Sequence, residues 1–210
     1  RYYGNLRKSI PITYWAMMMG TLAITGVGIA GVAGFAGFYS KDGILEAAFA
    51  SGGGGVIAFW VGIFVAFLTS FYSWRLVFLT FYGKARWEQS EHIQHAVHDA
   101  HGHGHDDHAH AAHDDHHHDA HSDGTAGYHP HESPISMLIP LGVLSLGAMF
   151  AGILFHHQFI YPEEGMAFWN GSLAFDEHLM HAAHDVPLWV KWMPFTVMAI
   201  GLFLAWNSYI

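Results

Sequence analysis

Four stretches of this chain, residues 12–50, 56–82, 134–155 and 187–209, are apolar over lengths that reach or exceed what a membrane-crossing helix needs. About 20 such residues span the hydrocarbon layer, and in that layer every backbone polar group must be bonded within its own segment or barrel. Only 12% of the residues are charged, against about 25% in an ordinary soluble domain. The expected fold is therefore all-α: a polytopic transmembrane helix bundle of about four spans.

The first stretch is too long for one span. Residues 12–50 as a straight helix would measure about 58 Å, nearly twice the hydrocarbon thickness. Glycines at 26, 28, 31, 34 and 37 interrupt it, and each weakens a helix by roughly 1 kcal/mol against alanine. Either two spans turn near Gly31, or one span consists of two half-helices with an irregular middle. With one span, Arg1, Arg7, Lys8, Lys84 and Arg86 fall on the same side of the membrane. The tendency of basic residues to stay cytoplasmic favours this discontinuous helix.

Lys41 lies just past the interruption. A charge at that depth costs a few kcal/mol unless it is paired, hydrated or neutralised. Ala30, Gly34, Gly37 and Lys41 are spaced by four, three and four, so as a helix they share a face of small residues against which a neighbour can pack. A desolvated ammonium can take up and release a proton, as a relay requires. The alternative is a lysine reaching a headgroup. Asp42 is read either as its counter-ion and a second relay site or as a cap on the second half-helix. Glu46 is expected near the outer interface.

In residues 56–82 an aromatic stripe (Trp60, Phe64, Phe67, Phe71, Trp74, Phe78, Phe81) opposes small residues including Gly62, Ala66 and Ser73. The small face is expected to meet other helices, and Arg75 to snorkel to the cytoplasmic interface. Ser133-Pro134 reads as the start of the third span, with Ser133 as its cap. Residues 156–186 read as a polar loop with a short amphipathic stretch over 173–184, and His156-His157 as interfacial. Lys191 is placed to snorkel from the fourth span.

Residues 84–133 form a loop holding fifteen of the twenty histidines and ten acidic residues against Lys84 and Arg86. With almost no branched apolar residues it cannot bury a core, and disorder is expected. His101, His103, His105, His116, His117 and His118 are candidate metal ligands, but four ligands at a structural-site spacing are not discernible. A solvated spacer is the alternative reading. Nucleic acid is excluded as a partner by the acidic balance. Without cysteine the chain cannot ligate an iron–sulfur cluster by thiolates. Beginning at Arg1 and stopping inside an apolar run, it reads as the interior of a longer subunit.

Two segments carry a family likeness. Gly4-x-Leu6-Arg7-Lys8-x-Ile10-Pro11 followed by Gly34-Phe35-Ala36-Gly37-Phe38-Tyr39-Ser40-Lys41-Asp42-x-Ile44-Leu45, and then Thr69-Ser70-Phe71-Tyr72-Ser73-Trp74-Arg75 with Phe81-Tyr82-Gly83, resemble subunit L of respiratory complex I. That family includes the mitochondrial ND-five subunit and is kin to Mrp-type antiporter subunits. The resemblance covers residues 1–83, an antiporter-like membrane segment. Residues 134–210 fit only in hydropathy. It implies a proton-translocating subunit of NADH–quinone oxidoreductase, with Lys41 and Asp42 in a proton half-channel on the output side. It implies that NADH, FMN, Fe–S clusters and quinone are handled elsewhere in the complex, so no cofactor is expected in this chain. It implies other membrane subunits as partners, a bacterial inner-membrane location, and a cytoplasmic side for the histidine-rich loop. The rival readings are an Mrp-type cation/proton antiporter subunit, a metal-ion transporter with a His-rich loop, and a passive membrane scaffold. Two features depart from the family: Ala30 stands near the place where members often have a proline, and the His/Asp insertion is not a family hallmark.

Overall fold

The computed structural model describes residues 3–29, 33–86, 90, 130–172 and 176–210. Residues 87–89 and 91–129 of the His/Asp segment, with its six candidate ligands, lie outside the described residues.

Pro11 opens α1 (Pro11–Thr25) at a position where its missing N–H costs nothing. Gly26 closes it in the left-handed conformation, φ 74°, donating to the Ala23 carbonyl. A side chain there would be strained. The chain then forms a two-residue antiparallel ladder, β1 (Gly28–Ile29) against β2 (Ala33–Gly34), extended by the Phe35 N–H on Val27 O at 3.1 Å. Helix returns as α2 (Ala36–Ala50). At 15 residues each, α1 and α2 are about 22 Å long, too short to cross the ~30 Å hydrocarbon layer singly.

Three long apolar helices surround this pair. Helix α3 (Gly54–Val77) continues through a π-helical turn, Phe78–Tyr82. Helix α4 spans Ile135–Ile160, and α7 spans Leu188–Tyr209. All three are long and apolar enough to cross a membrane. Between α4 and α7 lie two short helices, α5 (Pro162–Trp169) and α6 (Glu177–His184).

Contacts along the long helices place α1 and α2 end to end. Glu132, just before α4, accepts from the Ile12 and Thr13 amides and the Thr13 hydroxyl at the start of α1. Further along, Ser145 Oγ reaches Ala16 O at 3.5 Å. Gly152 then abuts Ala36, and the His156 ring stacks on Tyr39 of α2 at 4.8 Å. Along α3 the order runs the other way: Gly62 meets Leu45 of α2, and Phe81 meets Tyr14 of α1. One discontinuous helix is the result.

The core has two parts, one toward each end. Leu6, Tyr14, Trp74, Val77, Phe78, Phe81 and Ala205 form one; Leu45, Phe59, Ile63, Val186 and Val190 form the other. Helices α3 and α7 pack most extensively. Ser70 Oγ donates to Met198 O at 2.8 Å, and a Cβ on Gly201 would come within 2.8 Å of Ser70 Cβ, so small residues let the backbones approach. Along α4, by contrast, Met137, Val143, Leu144, Leu146 and Leu154 are all exposed, an apolar surface suited to lipid rather than water.

Several expectations are corrected in detail. The aromatic stripe does not act as one surface: Trp60 and Phe64 are exposed, while Trp74, Phe78 and Phe81 are buried. Gly62 of the small face meets Leu45 of α2, whereas α3 meets α7 through Ser70 and Phe78. Phe59, one residue off the stripe, is fully buried. The cap of α4 is Pro134, without a side-chain hydrogen bond, and not Ser133. The same helix runs past residue 155 through the histidine pair to Ile160. The loop beyond it contains α5, started by Pro162 and closed by Asn170 in the left-handed conformation.

Candidate site at the helix break

Lys41 sits in the second turn of α2, and its Nζ donates to Ile24 O at 2.7 Å. That carbonyl belongs to the last turn of α1, where helix termination leaves acceptors open. The ammonium thus closes the C-terminal end of α1, where the aligned peptide dipoles favour a cation. It also ties the two half-helices together across the break.

Two glycines make this geometry possible. A Cβ on Gly37 would lie 1.9 Å from Ala23 O, so α2 crosses the end of α1 at a distance only glycine allows. A Cβ on Gly26 would touch Lys41 Cδ at 3.3 Å, so the lysine stem runs over the left-handed turn. Before it, Thr25 Oγ1 donates to Thr21 O at 2.7 Å and Thr21 Oγ1 to Met17 O at 2.8 Å. Both threonines are buried. Their hydroxyls satisfy themselves on their own helix.

Lys41, Asp42 and Glu46 are each partly buried. Among the described residues no carboxylate lies within ion-pair distance of Lys41, so its hydrogen-bond partner is a neutral carbonyl. Asp42 is the next residue of α2, and Glu46 follows it one turn further on. The helix cap is Phe35. Asp42 lies two turns in, which removes the capping alternative. Of the four residues expected to share a face, Gly37 and Lys41 do so in α2, Gly34 belongs to β2, and Ala30 lies outside the described residues.

On its other side α2 borders a cavity of about 300 Å³, lined by Ser40, Glu46, Tyr39, Phe159, Met180 and His184 among others. Lys191 of α7 donates to His184 O at 2.7 Å, so it bonds within the protein rather than only reaching for the interface. At the opposite end of the bundle, Arg7 lies over the Tyr82 ring at 4.9 Å, and the Tyr14 and Tyr82 hydroxyls are 2.7 Å apart. Arg75 stands over Tyr209 at 5.5 Å. Among the described residues no group of three potential metal ligands is found.

Sequence reasoning singled out Lys41 but missed its partner. Any residue supplies a carbonyl, so Ile24 carries no signal of its own. The left-handed Gly26, two residues on, was the available clue.

Comparison with known proteins finds relatives along the whole chain. A family described as NADH:quinone oxidoreductase/Mrp antiporter, transmembrane region, matches residues 1–69. NADH-quinone oxidoreductase subunit L of Rhodobacter capsulatus is 38% identical, over all of this chain and 33% of the relative. NADH-ubiquinone oxidoreductase chain 5 of Chondrus crispus is 32% identical, over 98% of this chain and 26% of the relative. Subunit L of Rickettsia bellii is 31% identical, over 95% and 24%. The chain therefore spans about a quarter to a third of the length of these relatives. By these similarities the chain is a subunit L-like membrane segment, similar over residues 1–69 to the NADH:quinone oxidoreductase/Mrp antiporter family.

Proposed function

We propose that this segment carries one proton-translocating site of an NADH:quinone oxidoreductase, with Lys41 and Asp42 as the groups that hold and pass the proton. The observation that carries the reading is the Lys41 ammonium bridging the helix break to Ile24 O. A cation held by a carbonyl, with no carboxylate against it among the described residues, is stabilised but not neutralised. Such a group responds to a neighbouring charge by moving or by losing its proton. If the contact to Ile24 O opens, the amine is free to hand its proton to Asp42, the next residue. Glu46, four residues on and one turn away, is the next acceptor along the helix. The amine then recaptures a proton and the carbonyl together.

In this reading the driving force arises in other subunits, where NADH, FMN, Fe–S and quinone chemistry takes place. The partners are the other membrane subunits of that complex and the surrounding lipid, in a bacterial inner membrane with the Arg7 and Lys84 end cytoplasmic. Lys41→Ala in the assembled complex tests it. Proton translocation per quinone reduced is expected to fall. A variant that assembles and translocates normally removes Lys41 from the route. An Mrp-type antiporter subunit is the second reading, favoured by the description of the matching family. It predicts cation/proton exchange without NADH.

A further inference from the structure

We propose that His156, His157 and His184 form a protonatable rim that carries protons between Glu46 and the outer water phase. The proposal rests on the proton-translocation reading above and extends it to the exit. Three observations converge on these side chains.

First, they stand beyond the break as seen from the Arg7 and Tyr82 end: His156 stacks on Tyr39 in the first turn of α2, next to the break, and His184 lies further along α2, across the cavity from Glu46. If the basic end is cytoplasmic, the histidines face outward. Second, they are joined to the site by a cavity. The cavity of about 300 Å³ beside α2 has Glu46 and Ser40 on one wall and His184 on another. A space of that size with a carboxylate, a hydroxyl and an imidazole has room and partners for water. Third, the rings form a continuous series. His156 and His157 are 4.1 Å apart, His157 stacks on Tyr161 at 4.7 Å, and Tyr161 stacks on His184 at 5.5 Å.

The chemistry follows from the hydrogen bonds. His156 Nδ1 lies 3.1 Å from Ile153 O. A carbonyl only accepts, so Nδ1 carries the hydrogen and Nε2 keeps a free lone pair for an incoming proton. His157 Nδ1 lies 3.5 Å from Glu164 Oε1. The step is a proton transfer alone. Glu46 releases H⁺ through cavity water to an imidazole nitrogen, and the imidazolium returns it to bulk water. Further titratable groups on these elements include Tyr39, Tyr161, His181, Asp185 and Lys191, the last donating to His184 O at 2.7 Å.

Chemical rescue tests the proposal. Inverted vesicles holding the assembled complex with full-length subunit would carry His156→Gln/His157→Gln/His184→Gln, with proton translocation read per quinone reduced. At low luminal buffer the initial rate is expected to fall about a hundredfold, the lower end for loss of a positioned proton carrier. Imidazole loaded into the lumen is expected to restore it. Lys41→Ala, run alongside, is expected to stay defective with imidazole. Should the triple variant fail to assemble, His184→Gln and His157→Gln singly give the same readout, since both side chains are exposed. Unchanged translocation at low buffer, or a loss that imidazole does not repair, overturns the rim while leaving the Lys41 site standing. Normal translocation by Lys41→Ala overturns both.

Discussion

Gly37→Ala is the sharpest test of how the break is held. The added methyl would start 1.9 Å from Ala23 O. Ordinary carbon–oxygen contact is about 3.3 Å, so the two half-helices must separate by roughly 1.4 Å. The Lys41 Nζ to Ile24 O bond, 2.7 Å at present, would stretch toward 4 Å, beyond hydrogen-bonding range. The stem has little slack to compensate, because it already runs against Gly26. Overpacking costs about 1–3 kcal/mol and loss of a charged hydrogen bond about 1.5–3 kcal/mol. Alanine's higher helix propensity returns only about 1 kcal/mol. The net is a destabilisation of roughly 1.5–5 kcal/mol, localised at the break. A displacement of this size in a proton-transfer site can cost about a hundredfold in rate. Proton translocation and quinone reduction in the assembled complex provide the assay. Gly142→Ala is the control, since nothing lies within 4 Å of its Cβ position. Gly37→Ala is expected to lose most translocation and Gly142→Ala to keep it. Equal translocation by the two would refute the reasoning.

Other consequences follow from the same geometry. Gly26→Ala should impose about 1–2 kcal/mol of backbone strain at φ 74°, seen as a lower melting temperature of the detergent-solubilised complex. Glu132→Gln replaces the carboxylate that caps α1 through Ile12, Thr13 and the Thr13 hydroxyl. It should cost about 1 kcal/mol in the same melting assay, and Glu132→Asp should recover only part because its reach is shorter. Gly201→Leu should drive α7 off Ser70 and break the bond to Met198 O, lowering the yield of assembled complex well below that of Gly142→Leu.

The discontinuous span was legible because length and charge placement both spoke. A stretch of thirty-nine residues does not fit one thickness of bilayer as a straight helix, and the basic residues fall together only if the two halves make a single crossing. Lys41 was legible because a charge in an apolar run is conspicuous. Its surroundings were less so. The partner is a backbone carbonyl, and the close crossing depends on Gly37 meeting Ala23 O, a contact between residues fourteen apart whose identity no local pattern encodes. Asp42 read equally well as a cap because an acid near a helix start suits the dipole. Two turns of helix before it settle the matter against capping. The histidine pair at 156–157 looked interfacial. Its stacking on Tyr39 and its link to His184 through Tyr161 depend on how α4 and α6 fold back on α2, which a loop sequence does not announce.

The account stands on Lys41 releasing a proton, beyond tying two half-helices together, and Lys41→Arg separates these roles. A guanidinium can still donate to Ile24 O and close the end of α1, but it stays charged at any working pH. Measured as protons translocated per quinone reduced in the assembled complex, Lys41→Arg is predicted to be as defective as Lys41→Ala. Translocation at the wild-type ratio by the arginine variant would contradict the account, because a fixed positive charge would then suffice.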